Sequence, residues 1–429
     1  MRIVHIAAGA GQMYCGACNR DMALIRGLMD RGHQVQVIPL YTPLRLEGDE
    51  ILTTRIFMGG INAYLQQHSK IFQHTPAFID RLLDHPGLLR WASKMAVSTS
   101  PSDLGAMTVS VLQGRDGRQR KELDRLIKFL SAGDPPDVFS ITNSMLSGIA
   151  PALKECFDAP VICGLQGEDA FLRKMTDPYT TQALDLIRKH ARHIDGFTAS
   201  THSYADEMAG LLDIDCGRIH VVRTGFDVEP YRGIARARRE VLSDSPVVIG
   251  YLSVIAPPKG LDILVEAWIA LAENHRTRLQ VAGRVLNTGY YNEIRRQIRR
   301  AGLDDRFRHA GEVDFEGKLD FLQQCDIFCQ PSRATERRGL AALEAVTSGV
   351  PVVLPDRGAF REIIERTGGG VLFNPEDPVA LTERIKELLN DPERARAMAR
   401  AGSEIAASYY SPQLAVADLM AVLDAIGGR

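Results

Sequence analysis

The feature that most constrains this chain is a strand, glycine loop and helix in succession, occurring once at the start and again near residue 247. In the first copy Ile3, Val4 and Ile6 form an apolar strand, and glycines 9, 11 and 16 punctuate the loop after it. Met22, Ile25, Leu28 and Met29 then recur at three- and four-residue spacing, which predicts a helix with one buried face. Gly32 stops it, and "VQVIPL" reads as the next strand. Successive strands joined through a helix must pair in parallel. In the second copy "VVIGYLSVI" is the strand, "APPKG" the loop, and "LDILVEAWIALAENH" a helix with Leu264, Trp268 and Leu271 on one face. "RLQVAG" follows as a strand. Two such starts predict an α/β protein of two doubly wound domains. A chain of 429 residues is also long for one core. The boundary is placed in the Arg-rich "YRGIARARREVLSDSP", giving domains of 1–236 and 237–408.

The first domain carries an interruption at about 45–130, where strand and helix alternation gives way to amphipathic helical segments such as "DGRQRKELDRLIKFL". Apolar helix faces ordinarily pack into a core. An insertion over the C-terminal edge of a parallel sheet would also shape a substrate site. Its polar face mixes His, Asp and Arg, a weak match to a membrane-surface helix, so peripheral membrane contact stays open as a third reading. The last stretch, "SYYSPQLAVADLMAVLDAIGG", has the apolar spacing of a packed helix over about 409–429.

Composition removes several classes of function. The formal net charge of -2 supplies no broad positive field for nucleic acid. No apolar run reaches membrane-spanning length, and "MRIVHIAAGAGQ" lacks a signal-peptide profile, so the expectation is a cytoplasmic protein. Seven cysteines are scattered; "CDIFC" reads as a buried strand, and a structural zinc or a redox role for Cys15 and Cys18 is disfavoured. Asp213 and Asp215 have the spacing of a metal-binding acidic pair but sit in "LLDIDCGRIH", where a solvated turn is the better reading. A nicotinamide dehydrogenase is also disfavoured. Its glycine fingerprint is absent, and no acid stands convincingly at the end of "VQVIPLY".

The chemistry concentrates in "ERRGLAALEA", where Glu336 and Glu344 stand eight positions apart around Gly339. The pair could decorate a solvated helix face, or grip two ends of one ligand. A helix beginning at Gly339 would present the N–H groups of Gly339, Leu340 and Ala341, a site suited to phosphate. Glu344, on the second turn, has a carboxylate able to accept from a ribose diol. Glu336, just before the helix, would reach hydroxyls on the other side of the phosphates.

These segments resemble the retaining glycosyltransferases of family 4, whose GT-B fold sets two Rossmann-like domains across an interdomain cleft. The resemblance rests on "AGAGQMYCGACNRDMALIRGLMDRGHQV", "IHVVRTGFDVEPY", "PPKGLDILVEAW", "HAGEVDFEGKLDFLQQCDIFCQPS" and "TERRGLAALEAVTSGVPVV", in family order along nearly the whole chain. It implies that Glu344 binds the nucleotide ribose and that Glu336 contacts the transferred sugar. It implies that Lys259 and the helix start at Gly339–Ala341 hold the diphosphate, that backbone around Gly311–Val313 meets the base, and that Gly16 closes over the donor from the other domain. A fixed ammonium at Lys259 would stabilise a departing diphosphate without a metal. Gln166 and Asp169 occupy "QGED", where family members often carry a cleft histidine; either orients sugar or acceptor, or simply caps a helix. Tyr14, Asn143 and the insertion are the expected acceptor determinants. The terminal helix is expected to cross back to the first domain.

The resemblance has gaps. The family's arginine five residues before the loop lysine is replaced by Val254, and Pro258 stands where a glutamate is usual. Arg284 and Arg333 are the favoured substitutes for the lost charge. The implied activity is metal- and cofactor-independent transfer of a hexose from a UDP-, GDP- or ADP-linked donor to an unidentified acceptor. The alternatives are a degenerate protein that binds a sugar nucleotide as scaffold or sensor, or an epimerase or phosphorylase on the same fold. For a phosphorylase, no lysine stands out to hold pyridoxal phosphate.

Overall fold

The structure, a computed structural model, describes residues 1–8, 16–41, 57–58, 101–237 and 245–427. They divide into two compact units, Met1–Gly225 with Pro412–Arg429, and Phe226–Ser411.

The first unit is a six-stranded parallel sheet built from β1 (Arg2–Ala7), β2 (Gln34–Pro39), β3 (Val138–Ile141), β4 (Val161–Gly164), β5 (Gly196–Ala199) and β6 (Ile219–Val221), in the order β2-β1-β3-β4-β5-β6. Burial of most positions in β1, β3, β4 and β5 accounts for their largely apolar character. The helix Gly16–Asp30 follows β1. Its Met22 and Ile25 pack with Ala7 and Val37, while Leu24 and Leu28 meet Ala415, Val416 and Leu423 of the terminal helix. Met29 departs from the expected stripe and is 45% exposed. One position past Leu28, it is turned about 100° away from the core.

Part of the expected insertion is described. Helix Arg120–Ser131 buries Leu123, Leu126, Ile127 and Leu130 in a core shared with Leu112 and Phe57, which is the packing role. The remainder, 42–56 and 59–100, lies outside the described residues, as do Tyr14 and Cys15.

The second unit repeats the plan with β7 (Val247–Leu252), β8 (Thr277–Ala282), β9 (Phe307–His309), β10 (Ile327–Cys329), β11 (Val352–Pro355) and β12 (Gly370–Phe373), in the order β12-β11-β10-β7-β8-β9. Leu264, Trp268 and Leu271 are all fully buried, and so are Cys325 and Cys329. The division between units falls earlier than residue 236. Helix Glu229–Ala237 buries Tyr231 and Ile234 with Phe328, Leu343 and Val346 of the second unit, so apolar packing carries this segment across. The terminal helix Pro412–Gly427 returns to the first unit, where Asp418 receives Arg223 Nε at 2.6 Å and Nη2 at 2.8 Å. No helix among the described residues is long and apolar enough to cross a membrane.

Candidate functional site

In the second sheet the strand order reverses between β7 and β10, which pair directly through Ile249 with Ile327 and Gly250 with Phe328. Open α/β sheets bind ligands at such a switch point, beyond the strand C-termini. The loop after β7 carries Lys259; the loop after β10 carries Glu336. Tyr251, buried in β7, hydrogen-bonds through its hydroxyl to the carbonyls of Val254 and Lys259, each at 3.3 Å, and so holds the lysine loop in place. The Pro258 carbonyl accepts from the amides of Arg333 and Ala334 at 2.9 and 3.1 Å. Gly260 takes a left-handed φ of +70° where it abuts Pro331. The two loops are therefore zipped by backbone, with Pro258 contributing its carbonyl to the join.

This brings Lys259 Nζ to 2.5 Å from Glu336 Oε1. The same oxygen accepts from Ser332 Oγ at 2.8 Å and from Gln330 Nε2 at 3.4 Å. The Glu336 backbone carbonyl is also engaged, accepting from Ala359 N at 2.9 Å. Its Oε2 takes no hydrogen bond from the described residues and stays solvent-accessible. Each side-chain partner among the described residues thus grips the same oxygen and leaves the other accessible.

Gly339 caps the helix Leu340–Thr347 at φ +61°, with no side chain among the described residues closing its N-terminus. A Cβ there would also strike Ile363 at 2.6 Å, so glycine is required on both counts. The first-turn N–H groups are a ready anion site. Glu344, on the second turn, is 5% exposed rather than lying on a solvated face. Its Oε1 accepts from Lys318 Nζ at 2.5 Å and Tyr231 Oη at 2.8 Å. Here too Oε2 is without a hydrogen-bond partner among the described residues.

The two arginines differ. Arg333 forms a fork on Asp262, with both N–O distances 2.8 Å, and also donates to the Pro257 carbonyl. Asp262 in turn accepts from Tyr290 Oη at 2.6 Å. Burial opposes ionisation of Asp262, but Arg333 and Tyr290 outweigh it and hold the carboxyl below its ordinary value. Arg284 is exposed, with no side-chain partner among the described residues. Its carbonyl accepts from Ile255 N at 2.9 Å, which sets it beside the residue following Val254. Val313 is half-buried against the cluster around Tyr231.

The first unit assembles a second polar group at the ends of β3 and β4. Gln166 Nε2 donates to Asp21 Oδ1 at 2.6 Å and to the Thr142 carbonyl at 2.9 Å. Thr142 Oγ1 donates to Asp21 Oδ2, and His5 Nε2 lies 3.5 Å from that oxygen. Burial opposes charge on Asp21, yet His5, Thr142 and Arg20 hold its carboxyl below the usual range. These bonds turn the Gln166 amide nitrogen inward and leave its Oε1 buried without a partner among the described residues. Glu168 staples the two loops, accepting from Ser144 Oγ at 2.7 Å and Gln166 N at 2.7 Å. Asp169 is buried and accepts from Tyr204 Oη at 3.0 Å. Asn143 uses its side chain to accept from Met145 N at 3.1 Å. Gly16 begins the helix Gly16–Asp30. Asp213 ends a helix in the left-handed region and Asp215 accepts from Gly217 N, so the acidic pair forms turns.

Lys318, Tyr231, Ser332 and Gln330 went unidentified in the sequence, as did Asp21 and Glu168. Spacing offered no clue to the first two, which come from segments 26 and 113 residues away from Glu344. Ser332 and Gln330 lie within the loop that leads to Glu336, where their polarity was the available signal.

Residues 234–405 match the family described as glycosyl transferases group 1. The chain is 29% identical over 238 residues to D-inositol 3-phosphate glycosyltransferase of Xylanimonas cellulosilytica, covering 53% of this chain and 56% of that one. It is 26% identical over 281 residues to glycogen synthase of Mycobacterium tuberculosis, covering 65% and 66%. It therefore spans between about half and two-thirds of the length of these relatives. The crystal structure of Anabaena HepE in complex with UDP superposes with a TM-score of 0.67 at 18% identity, over 99% of this chain and 100% of that one. Sucrose-phosphate synthase of Thermosynechococcus elongatus gives 0.65 at 16%, over 100% and 99%. The fold is GT-B, two doubly wound α/β domains, as the sequence implied.

Proposed function

We propose that this protein is a retaining glycosyltransferase, which moves a hexose from a nucleoside-diphosphate sugar to an acceptor hydroxyl. One observation carries the reading. At the switch point of the second sheet, Lys259 and Glu336 meet beside a helix N-terminus that no side chain among the described residues caps. The glycosyltransferase names of the sequence relatives support transfer over a degenerate binding role.

In this reading the diphosphate sits on the first-turn amides of Leu340 and Ala341, with Lys259 as its cation. The bond from anomeric carbon to phosphate oxygen breaks, charge grows on the diphosphate, and a preorganised ammonium and helix dipole stabilise it. No protein nucleophile is assigned. The acceptor oxygen attacks from the face the phosphate leaves, and its proton passes to the departing phosphate. Glu336 meets the sugar through Oε2, Glu344 meets the ribose, and backbone at Gly311–Val313 meets the base. Arg284 supplies the charge absent at Val254, because Arg333 is committed to Asp262. Neither a metal nor a cofactor is required.

A thermal-shift panel of UDP-, GDP- and ADP-sugars tests donor binding, followed by a donor-hydrolysis assay on each hit. Ligand at a hundredfold excess over its Kd stabilises by about 2.7 kcal/mol, a readily measured shift. No shift with any donor would refute the proposal. A shift without hydrolysis or transfer would favour the scaffold reading.

A further inference from the structure

Glu344 is held by a built support. Lys318 Nζ and Tyr231 Oη reach the same oxygen, Oε1, at 2.5 and 2.8 Å. The ammonium is itself confined, lying 5.5 Å from the ring centroid of Tyr231 and 5.3 Å from that of Phe315. Those rings meet edge to face, and Phe226 backs Tyr231 at 5.5 Å. Lys318 stands on the helix Phe315–Gln324, whose N-terminus is capped by Asp314 through Gly317 N at 2.9 Å. Each element of the support is thus itself anchored.

A lysine and a tyrosine spent on one carboxylate oxygen fix the plane of that carboxylate. A carboxylate free to rotate would lose orientation each time it bound a diol. We infer that Lys318, seconded by Tyr231, is a positioning residue that locks Glu344 so that Oε2 is presented to the ribose hydroxyls of the donor nucleotide. The inference rests on the proposed donor site. It adds that ribose recognition depends on two residues that need not touch the nucleotide.

The test compares UDP, GDP and ADP with their 2′-deoxy and 3′-deoxy forms by titration calorimetry on the wild-type chain, Lys318→Gln, Lys318→Arg and Tyr231→Phe. A hydrogen bond to a charged group corresponds to roughly 10- to 100-fold in affinity. The wild type should therefore prefer at least one ribonucleotide to its deoxy form by about that factor. Lys318→Gln should reduce the preference to about 2-fold while leaving deoxynucleotide affinity nearly unchanged. Lys318→Arg should restore most of it. Tyr231→Phe, which removes only a hydroxyl and serves if Lys318→Gln fails to fold, should reduce it partly. A merely structural role would weaken both nucleotide forms equally and preserve their ratio; that result overturns the inference. Absence of any ribose preference in the wild type would overturn the assignment of Glu344 to ribose, and the positioning role with it.

Discussion

A side-chain carbon on Gly260 would lie 1.9 Å from the carbonyl oxygen of Pro331, so the two loops that bring Lys259 to Glu336 meet backbone against backbone. Gly260→Ala must push them apart and also hold alanine at φ +70°. Strain and overpacking of this kind cost about 1–3 kcal/mol each. Urea denaturation should show a loss in that range, and donor affinity should fall with it.

Lys259→Met keeps much of the aliphatic stem and removes the charge. If the ammonium stabilises the leaving diphosphate, kcat for transfer should drop about 10²- to 10³-fold. Steady-state kinetics with saturating donor would settle the matter, since an unchanged kcat would assign Lys259 to ground-state binding alone.

Arg284 and Arg333 should separate cleanly. Arg284→Ala is expected to weaken nucleoside diphosphate binding about tenfold, with the unfolding midpoint unmoved. Arg333→Ala strips the fork from Asp262 and should lower the midpoint. A reversed pattern would return Arg333 to the phosphate-binding role.

The pH dependence of stability follows from two carboxylates. Asp21 and Asp262 both sit below the ordinary value of 3.8 when folded. The unfolded chain therefore takes up protons first as the solution is acidified. Their contribution is complete above the unfolded pKa and is lost as pH falls through the folded one. Chemical denaturation from pH 7 to pH 3 should show this acid limb, and Asp262→Asn should make it shallower.

His190 acts nearer neutrality. Burial is the main force holding its imidazole below the ordinary 6.5, with Lys189, His193 and Arg192 adding to it. Its Nε2 contacts the Leu112 carbonyl at 2.8 Å, while Nδ1 is buried without a partner among the described residues. The folded state resists the proton, so stability present above pH 6.5 declines as pH drops through that value. In His190→Gln the slope between pH 7 and 6 should flatten.

The periodicities of residues 1–40 and 247–283 revealed the first two strands of each sheet and the helix between them, because buried parallel strands and their helices leave a strong apolar signature. The glutamates and Lys259 were legible for another reason: each belongs to a short segment whose glycines permit close approach. Lys318, Tyr231, Asp21 and Thr142 were not. Their roles arise only when segments distant in sequence converge, and a lysine on an amphipathic helix looks the same whether it faces water or Glu344. Arg333 shows another limit, since its position in the loop suggests phosphate, while its fork on Asp262, 71 residues away, has no sign in the sequence.

Helix Pro412–Gly427 completes a core that residue 3 begins, with Ile3, Leu24 and Leu28 clustered on Ala415, Val416 and Leu423. On the ribosome, residues 226–411 emerge before that helix does. Until then the apolar flank of Ile3, Leu24 and Leu28 lacks its cover from the terminal helix. Vectorial synthesis thus delivers the last helix of the earliest-made unit only after the whole of the other unit.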